Sequence, residues 1–241
     1  MLPGDLKTAE SQALEALLAA LVAEPAGRWT VDWRFEGLRL LAPALRLGQA
    51  LQQAGQGVRL LFPDAGAGAL ARRDAPELAG CIGDFRSELR RQAEAAEAGG
   101  EAEADAAARP ELLLAVAPGQ PDYDDFERLC AGHRGAVVLL NGTLEDAAVG
   151  IGSVARERRR GFLAQWQAAY HLKPLEGSAL RRSFPGEWEL YRQDPDGFRL
   201  AARFDQKPDA EAQLQALAGG EALGVGGNLK VLDAFIEGLR S

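Results

Sequence analysis

Cysteine, histidine and methionine are scarce in this 241-residue sequence: two, two and one respectively. Two cysteines, Cys81 and Cys130, are too few for a disulfide framework, so we expect a reducing, cytoplasmic setting with both thiols in the core rather than acting as nucleophiles. Neither His133 nor His171 has a cysteine or acid at zinc-ligand spacing, so no metal site is advertised. No run approaches the ~18 apolar residues needed to cross a bilayer, which excludes a transmembrane segment. Met1 to Asp5 has no basic region, and the apolar stretch Ala13 to Ala23 is interrupted by Glu15 and followed by Glu24 and Pro25, which does not read as a signal peptide. Positive charge is also short. With 35 acidic residues against 27 basic, the net charge is -8, which argues against a general nucleic-acid binder. Serine-hydrolase, P-loop and zincin signatures are missing, as is any fixed-period repeat, so composition calls for no cofactor and no catalytic residue.

What is present is an ordinary globular mixture, 47% hydrophobic and 26% charged, of a length that suits a single domain over 1–241. Ala13, Leu14, Leu17, Leu18, Leu21 and Val22 fall at helical spacing behind Thr8 as a plausible cap. Trp29, Val31, Trp33 and Phe35 alternate with Arg28, Thr30, Asp32 and Arg34, which predicts a strand with one wetter face, at a sheet edge. Pro43 opens a helix that stops at Gly55, and Val58 to Phe62 reads as a buried strand. A short helix through Leu70 to Arg73 and a brief extended piece at Cys81 to Phe85 follow. Leu112 to Val116 and Ala136 to Leu140 are continuous apolar runs on either side of a helix over Asp124 to Ala131, the pattern of parallel strands covered on both faces. Beyond a helix at Val154 to Leu163, Ala168 to Leu172, Trp188 to Arg192 and Phe198 to Phe204 are short alternating runs, the last two forming a hairpin. Helices at Asp209 to Ala218 and Asn228 to Leu239 close the chain. The expectation is an α/β, Rossmann-like three-layer fold with a mostly parallel central sheet and an antiparallel C-terminal extension.

Charge is unevenly spread. Ala93 to Glu111 holds six acids against Arg109 and has no apolar face, which predicts a flexible acidic insertion at 92–110. Ser153 to Arg192 holds eight basic residues against four acidic.

Three groups could carry chemistry. The first is Gly66-Ala67-Gly68-Ala69-Leu70-Ala71 behind Asp64, a G-x-G-x-x-A after a strand and opening a helix, where glycines and free N–H groups could receive a phosphate. The alternative is a plain helix start capped by Asp64. The second group is Asn141, Glu145 and Asp146, which with Asp64 fall at the carboxyl ends of parallel strands, where open sheets bind ligands; a turn and a helix cap are the alternative. In the third, basic group, Arg156, Arg159, Arg160, Arg181, Arg182 and Trp188 could meet an anionic partner. The alternative makes its aromatics a strand core and its arginines their solvated backs.

Several segments, Val58 to Gly66 with its Phe-Pro-Asp, Val138 to Asn141, Tyr170-His171-Leu172-Lys173-Pro174-Leu175 and Phe184-Pro185-Gly186-Glu187-Trp188-Glu189-Leu190-Tyr191, resemble an uncharacterised domain family of cyanobacteria and chloroplasts. Its plant relatives include the low photosystem II accumulation assembly factor and the C-terminal extension of a plastid adenylate kinase. The resemblance covers about four-fifths of the chain. The family has no settled catalytic residues, so none is carried over. The resemblance implies a photosynthetic source and a non-enzymatic auxiliary factor assisting photosystem II assembly. Its partner would be a photosystem II subunit or assembly factor, with a peripheral thylakoid contact. The residues themselves leave open a nucleotide- or phosphometabolite-binding domain using the glycine-rich turn.

Overall fold

Alternating helices and strands in the first two-thirds of the chain fold as the apolar runs dictate. The computed structural model describes residues 1–97, 111–144 and 153–218. Strands β1 (Arg28–Trp33), β2 (Val58–Phe62), β3 (Ile82–Asp84), β4 (Leu112–Val116), β5 (Val137–Leu140) and β6 (Gln167–Leu175) run parallel, and β7 (Ser178–Ser183), β8 (Trp188–Asp194) and β9 (Gly197–Phe204) extend the sheet antiparallel. The nine strands form one sheet in the order β3-β2-β4-β5-β1-β6-β7-β8-β9. The α/β, Rossmann-like reading with an antiparallel extension therefore holds.

Helices cover both faces. On one side lie α1 (Leu6–Ala23), α2 (Leu41–Gln53) and α3 (Ala65–Asp74). Helix α1 turns a stripe of small residues, Ala9, Ala13, Ala16 and Ala20, to the sheet beside Leu17 and Leu21, which lets its backbone sit close above Trp29, Val31, Trp33 and Tyr170. On the other side α4 (Phe85–Glu97), α5 (Tyr123–Gly132) and α6 (Ser153–Ala164) gather an aromatic cluster: Phe126 lies 5.8 Å from Phe85, 6.1 Å from Phe162 and 5.6 Å from Trp166, ring centre to ring centre. Burying each such ring contributes roughly 1.5–3 kcal/mol. Helix α7 (Ala210–Leu217), capped by Asp209, packs on β8 and β9 through Ala216 and Leu217.

Three expectations need correction. Strand β1 is not at an edge; it pairs with β5 on one side and β6 on the other. Its alternation has another cause, for its polar face is occupied rather than solvated. Arg28 donates to the carbonyls of Cys130, His133 and Gly135 at 2.9–3.3 Å, while Asp32 pairs with Arg34 and His171. Strand β7, Ser-Ala-Leu-Arg-Arg-Ser, was not anticipated, because its adjacent arginines break the apolar alternation; they point to opposite faces, where each finds aromatic or acidic company. Helix α1 starts earlier than Thr8, with Asp5 accepting from the Thr8 N–H at 2.7 Å. The acidic stretch begins helical, as the end of α4. Residues 98–110 and the expected helix at Asn228 to Leu239 lie outside the described residues.

Candidate functional site

Parallel and antiparallel pairing set one polar row across four strands. Asp32 on β1 is in register with His171 on β6, His171 with Arg182 on β7, and Arg182 with Trp188 on β8. These side chains share the face opposite α1. There the sheet lies open between the end of α6 and the segment entering α7, and two contiguous hollows of about 310 and 650 Å³ share Asp32, Arg34, Gly142, His171 and Lys207. Leu139, Leu163 and Trp166 line the larger hollow toward α6. Lys173 lines the smaller one.

The cleft is cationic. Arg34, Lys173, Arg182 and Lys207 line it against Asp32 and Asp205, and Asp32 is engaged by Arg34 at 2.6 Å and by His171 Nδ1 at 3.3 Å. Trp188 floors it, with the His171 ring 5.1 Å away, Arg182 Cζ at 5.7 Å and Lys207 Nζ at 5.9 Å from its ring centre. Arg182 is half-buried, and loss of hydration pulls its pKa below the ordinary guanidinium value. Burial also lowers the pKa of His171 beneath 6.5, against the opposing pull of Asp32. Five buried side-chain nitrogens among the described residues have no hydrogen-bond partner, and three of them, His171 Nε2, Arg182 Nε and Trp166 Nε1, belong to residues lining this cleft.

His133 is lowered by burial as well. Both histidines thus resist protonation when folded, while the unfolded chain takes up the protons. Stability contributed by this difference is present above about pH 6.5 and is lost as the pH falls through and below it. We expect the melting temperature to drop between about pH 7 and 5, and His171→Gln to flatten part of that slope; an unchanged slope counts against the burial of His171.

The glycine-rich turn is a capped helix start. Asp64 accepts from the Ala67 N–H at 2.9 Å, and Gly68 is buried with the Gly83 carbonyl 3.4 Å from where a Cβ would sit, so it spaces α3 from β3. Gly66 faces open space apart from Asp64. Asp64, Asp84 and Asp122 line a hollow of about 600 Å³ with Arg86 and Arg90, and each of the three carboxylates accepts from a backbone N–H. An anion there would meet three acids.

Asn141 is a clasp. At φ 51, its Oδ1 accepts from the Trp33 N–H and its Nδ2 donates to the Trp33 carbonyl, both at 2.7 Å, so its amide extends the β1 ladder. Strand β4 separates the Asp64 strand from the Asn141 strand. Asn141→Ala should cost about 2 kcal/mol, from two lost hydrogen bonds and a positive φ, read as a melting point lower by roughly 4–8 °C. A melting point within a degree of wild type would refute the clasp. Glu145 and Asp146 lie outside the described residues. Of the basic group, Arg182 and Trp188 enter the cleft. Arg181 turns to the opposite face, bound to Glu189 at 2.6 Å beneath α1; Arg160 is exposed on α6, which also carries Arg156 and Arg159. Arg181 and Arg182 therefore stand on opposite faces of the sheet.

Asp32, Arg34, His171 and Lys207 escaped sequence reasoning. The one available signal, polar residues on alternate positions of β1, reads equally well as a solvated edge, and only the register brings position 171 beside position 32.

The fold and site together define an open α/β sheet protein with a basic, aromatic-floored cleft at the junction of its parallel and antiparallel halves. The chain belongs to the DUF1995 family, a domain of unknown function, which matches residues 3–214. No curated protein matches it. Among the described residues no helix is long and apolar enough to cross a membrane, and no group of three or more His, Cys, Asp or Glu could hold a metal ion.

Proposed function

We propose that this protein binds a phosphate-bearing small molecule in the cleft between α6 and α7, rather than at the glycine-rich turn. The observation that carries this reading is that His171, Arg182 and Trp166, which line one cationic cleft, each hold a buried and unpartnered nitrogen, Nε2, Nε and Nε1 respectively. Phosphate oxygens supply acceptors for guanidinium and indole N–H groups, and Arg is suited to them by its fixed fork. The apolar wall of Leu139 and Leu163 suits an attached organic group. Inorganic phosphate, pyrophosphate and a nucleotide panel at millimolar concentration should raise the melting temperature. A ligand at a hundred times its Kd adds about 2.7 kcal/mol, or roughly 5–10 °C. Arg182→Ala should remove most of the shift. No stabilisation by any of these probes refutes the reading.

A second reading follows the sequence resemblance: a non-enzymatic auxiliary factor in the cytosol of a photosynthetic organism, helping photosystem II assemble and touching the thylakoid surface. The outermost strand supports it. Phe198 and Leu200 are 46% and 40% exposed on β9, which offers a protein partner apolar contact. Affinity capture from a cyanobacterial extract should recover photosystem II subunits, and a deletion strain should accumulate less photosystem. Recovery of none, with normal photosystem levels, overturns this reading.

A further inference from the structure

We infer that the Asp32–His171 pair makes the cleft selective for an oxyanion that still carries a proton, so that it takes hydrogen phosphate and rejects sulfate. The inference rests on the phosphate reading above and adds to it the chemical class of the ligand. Its basis is a donor and acceptor count. A carboxylate can only accept, so the contact between Asp32 Oδ2 and His171 Nδ1 places the ring proton on Nδ1 and leaves the lone pair on Nε2. That nitrogen is buried, with the side chain 4% exposed, and has no partner. The other unpartnered atoms lining the cleft, Arg182 Nε and Trp166 Nε1, are donors. Arg34 is a donor too, held toward Asp32 and the Gly142 carbonyl at 2.6 Å each.

In the proposed seat beside these residues, one oxygen of a tetrahedral oxyanion lies against the Nε2 lone pair. If that oxygen bears hydrogen, it donates and the site is satisfied. If it does not, two acceptors face each other away from water, which costs about tenfold or more in affinity. At about pH 8, phosphate is mainly the monohydrogen dianion, equal to sulfate in charge and nearly equal in size but carrying the one proton that sulfate lacks.

The groups facing His171 hold it neutral. Asp32 from β1 favours the imidazolium, whereas Arg34 beyond it, Arg182 across the strand pair, Lys207 before α7 and Lys173 two residues along β6 are cations, and Trp188 shields the ring from water. Burial joins Arg34 and Lys207 in pushing the pKa below 6.5. Acidification through that range puts a proton on Nε2, turns it into a donor, and should admit sulfate.

The test is calorimetric titration of the full chain with sodium phosphate and with sodium sulfate at about pH 8. Phosphate should bind at least about tenfold more tightly than sulfate. In Asp32→Asn, the amide can donate to Nδ1 and drive the proton to Nε2, so the preference should shrink to near parity or invert through a gain in sulfate affinity. Should that variant fail to fold, the wild-type protein gives the same readout: sulfate affinity should rise as the pH is lowered below about 6.5. Equal binding of the two anions at about pH 8 overturns the selectivity and leaves the phosphate reading intact. Binding of neither overturns both.

Discussion

Replacing Phe126 with alanine is expected to lower stability by about 3–5 kcal/mol, or roughly 10 °C in melting temperature for a chain of this length. Phe126 is fully buried at the centre of the cluster formed by Phe85, Phe162 and Trp166, and Trp166 stacks on it at an interplanar angle of 27°. Truncation leaves a cavity that four surrounding elements cannot close together, since α4, α5, α6 and the sheet are each tied elsewhere. The effect should extend to the cleft. Trp166 lines its α6 wall, and without the ring beneath it the indole loses its fixed orientation. We therefore expect a red-shifted tryptophan emission and weaker phosphate stabilisation in Phe126→Ala, both measured well below its melting temperature. Phe126→Leu should recover most of the stability. A loss under about 1 kcal/mol for the alanine variant would contradict the packing role.

Glu88→Ala should be nearly as costly, for an electrostatic reason and with a different functional signature. The carboxylate is completely buried and holds two arginines, Arg59 Nε at 2.7 Å and Arg91 Nη2 at 2.5 Å. This contact raises the pKa of Arg91. Removing the acid leaves Arg59 on β2 largely covered by α4 without its counter-charge, a loss of about 3 kcal/mol once the partial exposure of both arginines is allowed for. Thermal or urea unfolding of Glu88→Ala and of the Glu88→Ala, Arg59→Met double variant separates the terms: the pair removed together should be less destabilising than Glu88→Ala alone. Phosphate binding at the distant cleft should be unchanged in both. A double variant as unstable as the sum of its parts would show that the ion pair is not the cause.

Both residues illustrate what a linear reading can see. The apolar runs at 58–62, 112–116 and 137–140 admit no neighbour but another strand and a helix on each face, so the parallel half of the sheet and its order of elements followed from hydrophobic periodicity alone. Glu88, by contrast, reads as one more charge on a polar helix, because nothing in its own segment shows that Arg59 waits on a strand 29 residues earlier. Strand β7 was hidden by the same blindness: Arg181 and Arg182 look like a solvated pair until the pleat sends one to Glu189 and the other over Trp188.

The candidate site was less legible than the fold. Asp64 and Asn141 stand at the carboxyl ends of strands, where the topology of an open sheet sends a search for ligands, yet Asp64 caps its own helix and Asn141 bonds the backbone of Trp33 on the neighbouring strand. The residues that do converge on a cleft lie on strands separated by long stretches of chain. Asp32 and His171, 139 residues apart, meet only because β6 crosses over to lie beside β1 in one register and not the next.

By itself, the sequence determined the class of fold, the parallel core and the uneven distribution of charge, since each depends on local composition and period. The tertiary structure alone decided that β1 is central, that Arg181 and Arg182 part company, and that Asp32, His171, Arg182 and Trp188 form one row. Strand order and register are set by the summed packing of the whole sheet, and a shift of one residue in any pairing would turn that row to the opposite face.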